Sequence, residues 1–450
     1  MRQLILPVYL ALALVLGGSS AAGYAANLLL QLVALAIISW SFWSPRGPLP
    51  SREATVPLIF AALAFMLILV QLVPLPHQLW SALPGKAELA RELAAIGAAP
   101  TWMPLSLDPT ATLTGALWIL PATAVLLGIL IAKAYRDRWI AMSIVLVSMA
   151  SVLLGTIQIA GGPESLAYFY ERTNPGIAVG FFANGNHQAT LLLCSLPFIA
   201  ALYVRHSERG HSKSAVTAGV LCATAAVLAL VGLAINGSLA GIGLAVPVVT
   251  ASAMILRWRR MPGIRVMAPV LAALAILSAA IVLLGPFGNN LISADAENDA
   301  DSRLTVLSTV APAVVAHAPF GTGLGTFVPI YRQLENAETV DRFYMNNAHN
   351  DYLQVALEAG LPGVILVLLV LAWIAWRTAT IWRASQRDPI ESAATIALAA
   401  IALHSLVDYP LRTAAISCVF AACLALIARP GRVETRRRGD GEPRGIHLEA

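Results

Sequence analysis

Charged residues are scarce in this 450-residue chain. Asp, Glu, Lys and Arg together make up 12% of it, whereas hydrophobic residues make up 58%. A soluble domain of this length would need far more polar surface to cover its core. The composition therefore excludes a soluble globular enzyme and indicates that lipid surrounds most of the chain.

Cysteine and cofactor motifs are also rare. The four cysteines all lie in apolar stretches, which excludes a disulfide framework and gives no metal-binding spacing. The run 321–325 has glycines at alternate positions, but no strand and crossover helix frame it as a dinucleotide site requires. It predicts a tight turn instead. No cofactor and no metal are expected.

The chain contains long stretches without charged residues. A stretch of about 18 or more apolar residues is long enough to cross a bilayer as a helix. The chain is therefore predicted to be an all-α polytopic membrane protein with about twelve transmembrane helices. They are placed near 4–20, 24–43, 55–74, 112–132, 139–160, 182–204, two between 213 and 257, 267–287, 361–376, 393–409 and 411–428.

The basic residues predict the orientation. Most of the 29 Lys and Arg residues fall on one side if the N-terminus is inside, and basic loops stay in the cytoplasm. Both termini are then cytoplasmic. The first span resembles a signal peptide, but polytopic proteins usually retain such a segment as a helix.

Four regions follow from this topology. Residues 1–286 hold helices 1 to 9, with a short external loop at 75–111, and 287–360 form a large periplasmic loop with short helices. Residues 361–428 hold helices 10 to 12. The tail 429–450 is arginine-rich, and we expect a disordered cytoplasmic end near anionic membrane lipids rather than a nucleic-acid-binding region.

The most informative patch begins at His349. Residues 350–359 have the pattern of a short amphipathic helix that ends at Gly360, and Pro362 opens the next span. The positive end of a helix favours neutral imidazole and attracts phosphate oxygens. His349 could thus be a base beside an anion site; the alternative is that it caps the helix or contacts a lipid headgroup.

Two segments resemble motifs of the bacterial O-antigen ligase and polymerase family. The first resembles its His-Asn-x-x-Leu segment followed by Glu-x-Gly, in His349, Asn350, Leu353, Glu358 and Gly360. The second is similar to its Gly-x-Phe-x-Asn-x-Asn segment, in Gly180, Phe182, Asn184 and Asn186, with His187 next.

The resemblance implies transfer of a glycan, in a bacterial inner membrane, from an undecaprenyl-diphosphate-linked donor to a hydroxyl on lipid A core, another glycan or a protein. It implies that His349 is the catalytic residue and that Arg303 binds the donor diphosphate. Arginines can supply the positive charge of such a reaction, so no metal is demanded. Weaker candidates for the diphosphate are Arg332, Arg342 and Arg172. Supporting residues are Asn350, Glu358, Asn184, Asn186, His187, His404 and Asp408.

One segment departs from the family pattern. Many members carry Ser-Arg-Gly where this chain has Ser238, Leu239, Ala240 and Gly241. A donor-binding arginine is therefore missing or replaced. Arg172, just outside the sixth predicted span, is the candidate substitute, and its alternative is a simple interfacial anchor.

The charged residues near the eleventh span also have two interpretations. His404 and Asp408 are four residues apart, which would place them on one face of a helix, and Arg412 extends that face. Ionisable residues near a membrane are functional candidates. The alternative is a polar clasp at a turn that contains Pro410.

Two other function classes stay open. A lipid or polysaccharide transporter should line a midplane cavity with charges or broken helices, a pattern this sequence does not show clearly. A noncatalytic component of envelope polysaccharide assembly could keep the external loop without needing His349 or Arg303. Ligase and polymerase also remain alternatives, because they share the donor and differ in the acceptor.

Overall fold

A computed structural model describes residues 1–429 except 22, 44–50, 172, 209–211, 257–294 and 336–344. Its first half contains α1 (Ile5–Leu16), α2 (Ala25–Trp43), α3 (Arg52–Gln71), β1 (Pro74–Pro76), α4 (His77–Ser81), α5 (Ala87–Ala95), β2 (Trp102–Pro104), α6 (Pro109–Leu130), α7 (Asp137–Ala160) and α8 (Gly185–Ser207). The rest contains α9 (Ser212–Asn236), α10 (Leu239–Leu256), α11 (Asp295–Ala316), α12 (Phe327–Leu334), α13 (Asp351–Arg383), α14 (Pro389–His404) and α15 (Ala414–Ile427).

Apolar helices dominate this architecture. Within the described ranges, eight helices are long and apolar enough to span a membrane: α2, α3, α6, α7, α8, α9, α10 and α13. The start of the chain through α1, the end of α11, and α14 and α15 are shorter apolar helices. The chain is thus a mostly helical, multi-pass membrane protein. The total of twelve spans stays a prediction, and the ninth, at 267–287, lies outside the described residues.

The centre of the bundle is α8. It is almost wholly buried and packs against α7, α9, α10 and α14, while α15 joins it to α1 and α6. Small residues allow this close approach, since a Cβ on Gly241 of α10 would lie 2.7 Å from the Cβ of Ala189. Close packing of small residues is how helices associate inside a bilayer, where apolar burial gives little driving force. This packing fixes the position of the first residues of α8, which line the cavity described below.

The segment after α3 contains local structure that the sequence did not predict in detail. β1 and β2 pair antiparallel, with Pro74 opposite Pro104, so an all-α description omits one small two-stranded sheet. Lys86 is buried beneath this sheet and donates to the carbonyl oxygen of Leu105 at 2.8 Å. Burial lowers the pKa of its ammonium group to about 8. The 74–108 segment is therefore a packed unit rather than an open loop.

The glycine-rich run after α11 is a tight turn, as the sequence predicts. Gly321, Gly323 and Gly325 all have positive φ angles. A Cβ on Gly321 would lie 2.6 Å from the backbone nitrogen of Gly360. Only glycine combines this backbone conformation with such a close approach. The turn therefore fits directly against the kink of α13.

That kink divides α13 into two parts. Gly360 has φ 59° and ψ −155°, and Pro362 follows it. The nine residues before the kink form the short helix that the sequence predicts at 350–359, and the residues after it form a long apolar helix. The first part faces the site and the second belongs to the membrane bundle.

Gly18, in the loop after α1, leaves no room for a side chain. A Cβ at Gly18 would lie 2.1 Å from the carbonyl oxygen of Phe181, so the backbone itself would have to move. We expect Gly18→Ala to destabilise the protein by about 1–3 kcal/mol, the usual cost of adding a methyl group to a well-packed interior. The measurement is the midpoint of thermal unfolding of the purified protein in detergent, followed by size-exclusion chromatography.

The control is Gly219→Ala in α9, where the new Cβ would meet only the Tyr203 ring at an ordinary 3.4 Å. Alanine also favours the helix over glycine. This variant should unfold at the wild-type temperature or above it. Equal midpoints for the two variants would contradict the packing described for Gly18.

Candidate functional site

A cavity of about 1940 Å³ opens at the end of the bundle that also carries the 74–108 segment and the glycine-rich turn. Its wall is built from the α7–α8 loop, the start of α6, α12, the start of α13 and the turn between α14 and α15. The ionisable and polar side chains that line it include Asn184, His187, Asn346, His349, Glu358 and Arg412.

His349 is held in a strained backbone conformation. Its φ is +50°, a region that residues other than glycine seldom adopt. The helix cap is the next residue, because Asn350 Oδ1 accepts hydrogen bonds from the backbone nitrogens of Tyr352 and Leu353, both at 3.0 Å. The interpretation of His349 as the cap is therefore wrong. Strain of this kind persists only where surrounding contacts enforce it, and it is frequent at functional sites.

One carboxylate lies between two histidines. Asp408 Oδ1 is 3.8 Å from His349 Nδ1 and 3.7 Å from His187 Nε2. The ring of Tyr409 meets both imidazoles edge-on, with centroids 4.8 Å from His349 and 4.9 Å from His187. Asp408, Tyr409 and the two histidines thus form one compact group, which we call the histidine pair cluster.

The electrostatics of this cluster favour an ionised Asp408. Burial alone would raise the pKa of its carboxyl group, but the neighbouring His187, His349 and His404 outweigh burial and hold the pKa below its usual range. Burial and the nearby Asp408 charge raise the pKa of the Tyr409 phenol, so Tyr409 stays neutral. A fixed negative charge beside two imidazoles stabilises an imidazolium if either one takes up a proton.

A second group of charges lies next to the cluster. Arg412 Nη1 is 2.8 Å from Glu358 Oε2, and its Nε is 3.5 Å from Asp351 Oδ1. Burial alone would lower the pKa of the guanidinium group, but these two carboxylates raise it. Gln354 completes the group by donating to Glu358 Oε1 at 3.0 Å. Arg412 therefore ties the first turns of α13 to the turn before α15.

The same turn positions His349 through the backbone. The Asp351 nitrogen donates to the carbonyl oxygens of Ser405 and Asp408, at 3.0 and 3.3 Å. Asn350 donates from its side chain to the carbonyl oxygen of Leu406 at 2.9 Å. Since His349 immediately precedes these residues, their bonds set its distance from Asp408.

The second sequence motif forms the opposite wall. Asn184 caps α8 by accepting from the Asn186 nitrogen at 2.8 Å, which places His187 in the first turn of that helix. Ser238 donates to Asn186 Oδ1 at 2.6 Å, so the segment 238–241 serves to hold α10 against α8. Leu239 is partly buried there.

The structure brings most predicted site residues together and separates others. His187, His349, His404 and Asp408 lie within one polar region, with Asn184, Asn186, Asn350 and Glu358 around it. Arg332 is on an exposed face of α12 and is not part of the cavity wall. Arg303 lies in α11. Arg172 and Arg342 lie outside the described residues.

One predicted relation is wrong. His404 is the last residue of α14, and Asp408 lies in the turn beyond it rather than on the same helical face. Pro410 and Arg412 form a short 3₁₀ turn that keeps the chain from continuing as a helix. His404 Nδ1 instead pairs with Thr190 Oγ1 of α8 at 2.8 Å. The turn places Asp408 in the histidine pair cluster.

The sequence pattern does not indicate the roles of Arg412, Asp351 and Tyr409. It marks Arg412 only as an extension of the face that carries His404 and Asp408. A signal was present, since Arg412 and Asp351 are ionisable residues at the ends of apolar helices, where an unpaired charge is costly. Their pairing is visible only in the tertiary structure, because the two residues are 61 positions apart along the chain.

The chemistry available here is proton transfer to or from an imidazole. An imidazole with an ionised carboxylate behind it can accept a proton from a hydroxyl group. Within the described part of the chain, no group of three His, Cys, Asp or Glu side chains is arranged to bind a metal ion.

Comparison with known proteins identifies a family model that matches part of the chain. Residues 224–368 match the family model described as O-antigen ligase, and this range includes α10 to α12, His349 and Glu358. No curated protein matches the chain. Such a family implies a glycosyltransferase-like enzyme of polysaccharide biosynthesis. The match, on a multi-pass membrane protein, supports the assignment of this chain to an O-antigen ligase-related family.

Proposed function

We propose that the protein transfers a glycan from an undecaprenyl-diphosphate-linked donor to an acceptor hydroxyl at the periplasmic face of the bacterial inner membrane. The observation that carries this proposal is the placement of His349, which faces a large cavity with the Asp408 carboxylate 3.8 Å behind it. An imidazole supported in this way is suited to activate a hydroxyl group.

In the proposed reaction the acceptor oxygen attacks the anomeric carbon of the donor sugar. The bond from that carbon to the diphosphate oxygen breaks, and its electron pair leaves with the diphosphate. The acceptor proton passes to His349, and Asp408 stabilises the resulting imidazolium. Attack opposite the leaving group inverts the anomeric configuration.

The diphosphate role stays with Arg303, and Arg332, Arg342 and Arg172 are weaker candidates. Guanidinium groups match phosphate oxygens and stabilise the charge that builds on the leaving diphosphate. Arg412 already faces two carboxylates, which offset its charge. We therefore assign Arg412 a positioning role, in which it holds Glu358 and the start of α13 in place.

The first prediction concerns the proposed base. In a deletion strain complemented at matched membrane expression, His349→Ala should reduce surface glycan by about 100-fold or more, the usual contribution of general base catalysis. Arg303→Ala should also reduce it strongly. His206→Ala, at an exposed position at the end of α8 remote from Asn184, is the matched control and should keep wild-type glycan.

The accumulated intermediates separate the alternatives. Finished chains on the lipid carrier indicate a ligase, and single repeat units indicate a polymerase. Wild-type glycan in both the His349 and Arg303 variants would contradict the enzymatic proposal and favour a noncatalytic component or a transporter.

The second prediction concerns Arg412. Arg412→Lys keeps the charge but cannot reach Asp351 and Glu358 with a planar fork, so transfer should fall about tenfold with a small loss of thermal stability. Arg412→Met should destabilise the protein by about 3–5 kcal/mol, because it leaves buried carboxylates unpaired. Transfer rates and unfolding midpoints are measured on the same membrane preparations.

The control for this series is Arg383→Lys, at the exposed last residue of α13. It should leave both quantities unchanged. If Arg412→Lys also has wild-type transfer, the pairing with Asp351 and Glu358 is not needed for the geometry of the site.

The third prediction follows from the proposal that arginine residues, and not a metal ion, supply the positive charge at the diphosphate. Transfer by isolated membranes should continue at the wild-type rate after treatment with EDTA, since the proposal requires no divalent cation. The rate is measured before chelation, after it, and after adding Mg²⁺ back. Loss of activity that Mg²⁺ restores would show that metal independence is wrong.

A further inference from the structure

Two histidines of the cavity wall share one carboxylate. His187 and His349 both line the cavity, whereas Asp408 is fully buried behind them. The two rings approach the same oxygen of Asp408, Oδ1, at 3.7 and 3.8 Å. These distances are too long for hydrogen bonds, so the rings interact with the carboxylate through charges and dipoles. Both imidazoles therefore draw on the same negative charge, although the proposed reaction uses only His349.

His187 is held firmly in this arrangement. It lies in the first turn of α8, which Asn184 caps, and it is only 1% exposed. The His349 side chain is 19% exposed, so it is the more accessible of the two from the cavity. Within the described part of the chain, neither ring nitrogen of His187 has a hydrogen-bond partner. The protonation and tautomer of His187 therefore respond mainly to Asp408.

Other ionisable groups near Asp408 are already engaged elsewhere. His404, at the end of α14, adds a third imidazole, but its Nδ1 pairs with Thr190 Oγ1 of α8 at 2.8 Å. The Asp351 carboxylate at the start of α13 faces the Arg412 guanidinium at 3.5 Å, which offsets its charge. The neighbouring phenol, which lies edge-on to both rings, stays neutral. The charge of Asp408 is thus shared chiefly within the histidine pair cluster.

Two imidazoles beside one carboxylate do not titrate independently. A positive charge on His187 would neutralise Asp408 and repel a second positive charge on His349. A neutral His187 that points its Nε2–H at Asp408 acts in the same direction, because the dipole offsets part of the negative charge. In both cases His349 binds a proton less tightly than it would with Asp408 to itself. A general base must be unprotonated before it can accept a proton from a hydroxyl group.

We infer that His187 competes with His349 for the charge of Asp408 and so keeps His349 neutral, and able to accept a proton, as the pH falls. This inference rests on the proposed function, in which His349 is the base. His187 is a positioning residue in this reaction, since it acts through Asp408 and not on the substrate.

The test measures transfer by isolated membranes from about pH 5 to pH 8, the range in which histidine residues change charge. The quantity compared is the acid midpoint, the pH at which the rate falls to half of its maximum on the acid side. His187→Phe keeps a ring but removes both nitrogens, and should raise the acid midpoint by about 0.5–1 pH unit, the usual size of histidine shifts in proteins. His187→Gln keeps an N–H group but cannot take up a proton, so its shift should be smaller and in the same direction.

The matched control is His206→Gln, at the exposed other end of α8. It should keep the wild-type acid midpoint. An acid midpoint that stays in place or moves down in both His187 variants, whatever their maximal rates, overturns the inference and leaves His187 with a structural role. If the phenylalanine variant does not accumulate in membranes, the glutamine variant alone decides. Wild-type transfer by His349→Ala would instead refute the proposed function.

Discussion

The site depends on the docking of the first residues of α13 onto the turn between α14 and α15. Backbone bonds from Asp351 to Ser405 and Asp408, a side-chain bond from Asn350 to Leu406, and the Arg412 ion pairs all join these two pieces of chain. His349 has no freedom to move away from Asp408 while these bonds hold. The start of α13 and the turn between α14 and α15 are therefore parts of one site.

This docking places several charges where water is largely excluded. Buried ion pairs contribute little net stability, because their desolvation cost offsets much of the Coulomb attraction. Their value lies in fixing geometry, since any displacement leaves a carboxylate unpaired. Glu358 illustrates this: its side chain accepts from Arg412 and Gln354, and its carbonyl oxygen accepts from Gln71 and Gly323. One residue thus joins α3, the glycine-rich turn and the last turn before α15.

Much of the helical pattern followed from the sequence, because apolar length and glycine or proline breaks act locally. The kink at Gly360 and the short helix before it are examples. The small β1–β2 sheet, helix α12 and the role of Arg412 did not follow, because each depends on contacts between residues far apart in the chain. The motif in the sequence singles out His349. Its pairing with Asp408 is not visible there, because the sequence predicts a helix where the structure has a turn.

The conformation of Gly360 has a mechanical consequence. A Cβ there would lie 2.2 Å from the carbonyl oxygen of Pro319, so the kink is locked by the glycine-rich turn and not only by Pro362. Membrane helices adjust their tilt to the thickness of the bilayer. With a locked joint at Gly360, the two arms of α13 keep a fixed angle, so the long arm cannot tilt independently of the short arm that the turn before α15 holds. The geometry of the site therefore constrains the tilt of this helix, and a mismatch with the bilayer has to be taken up by the lipid or by other helices.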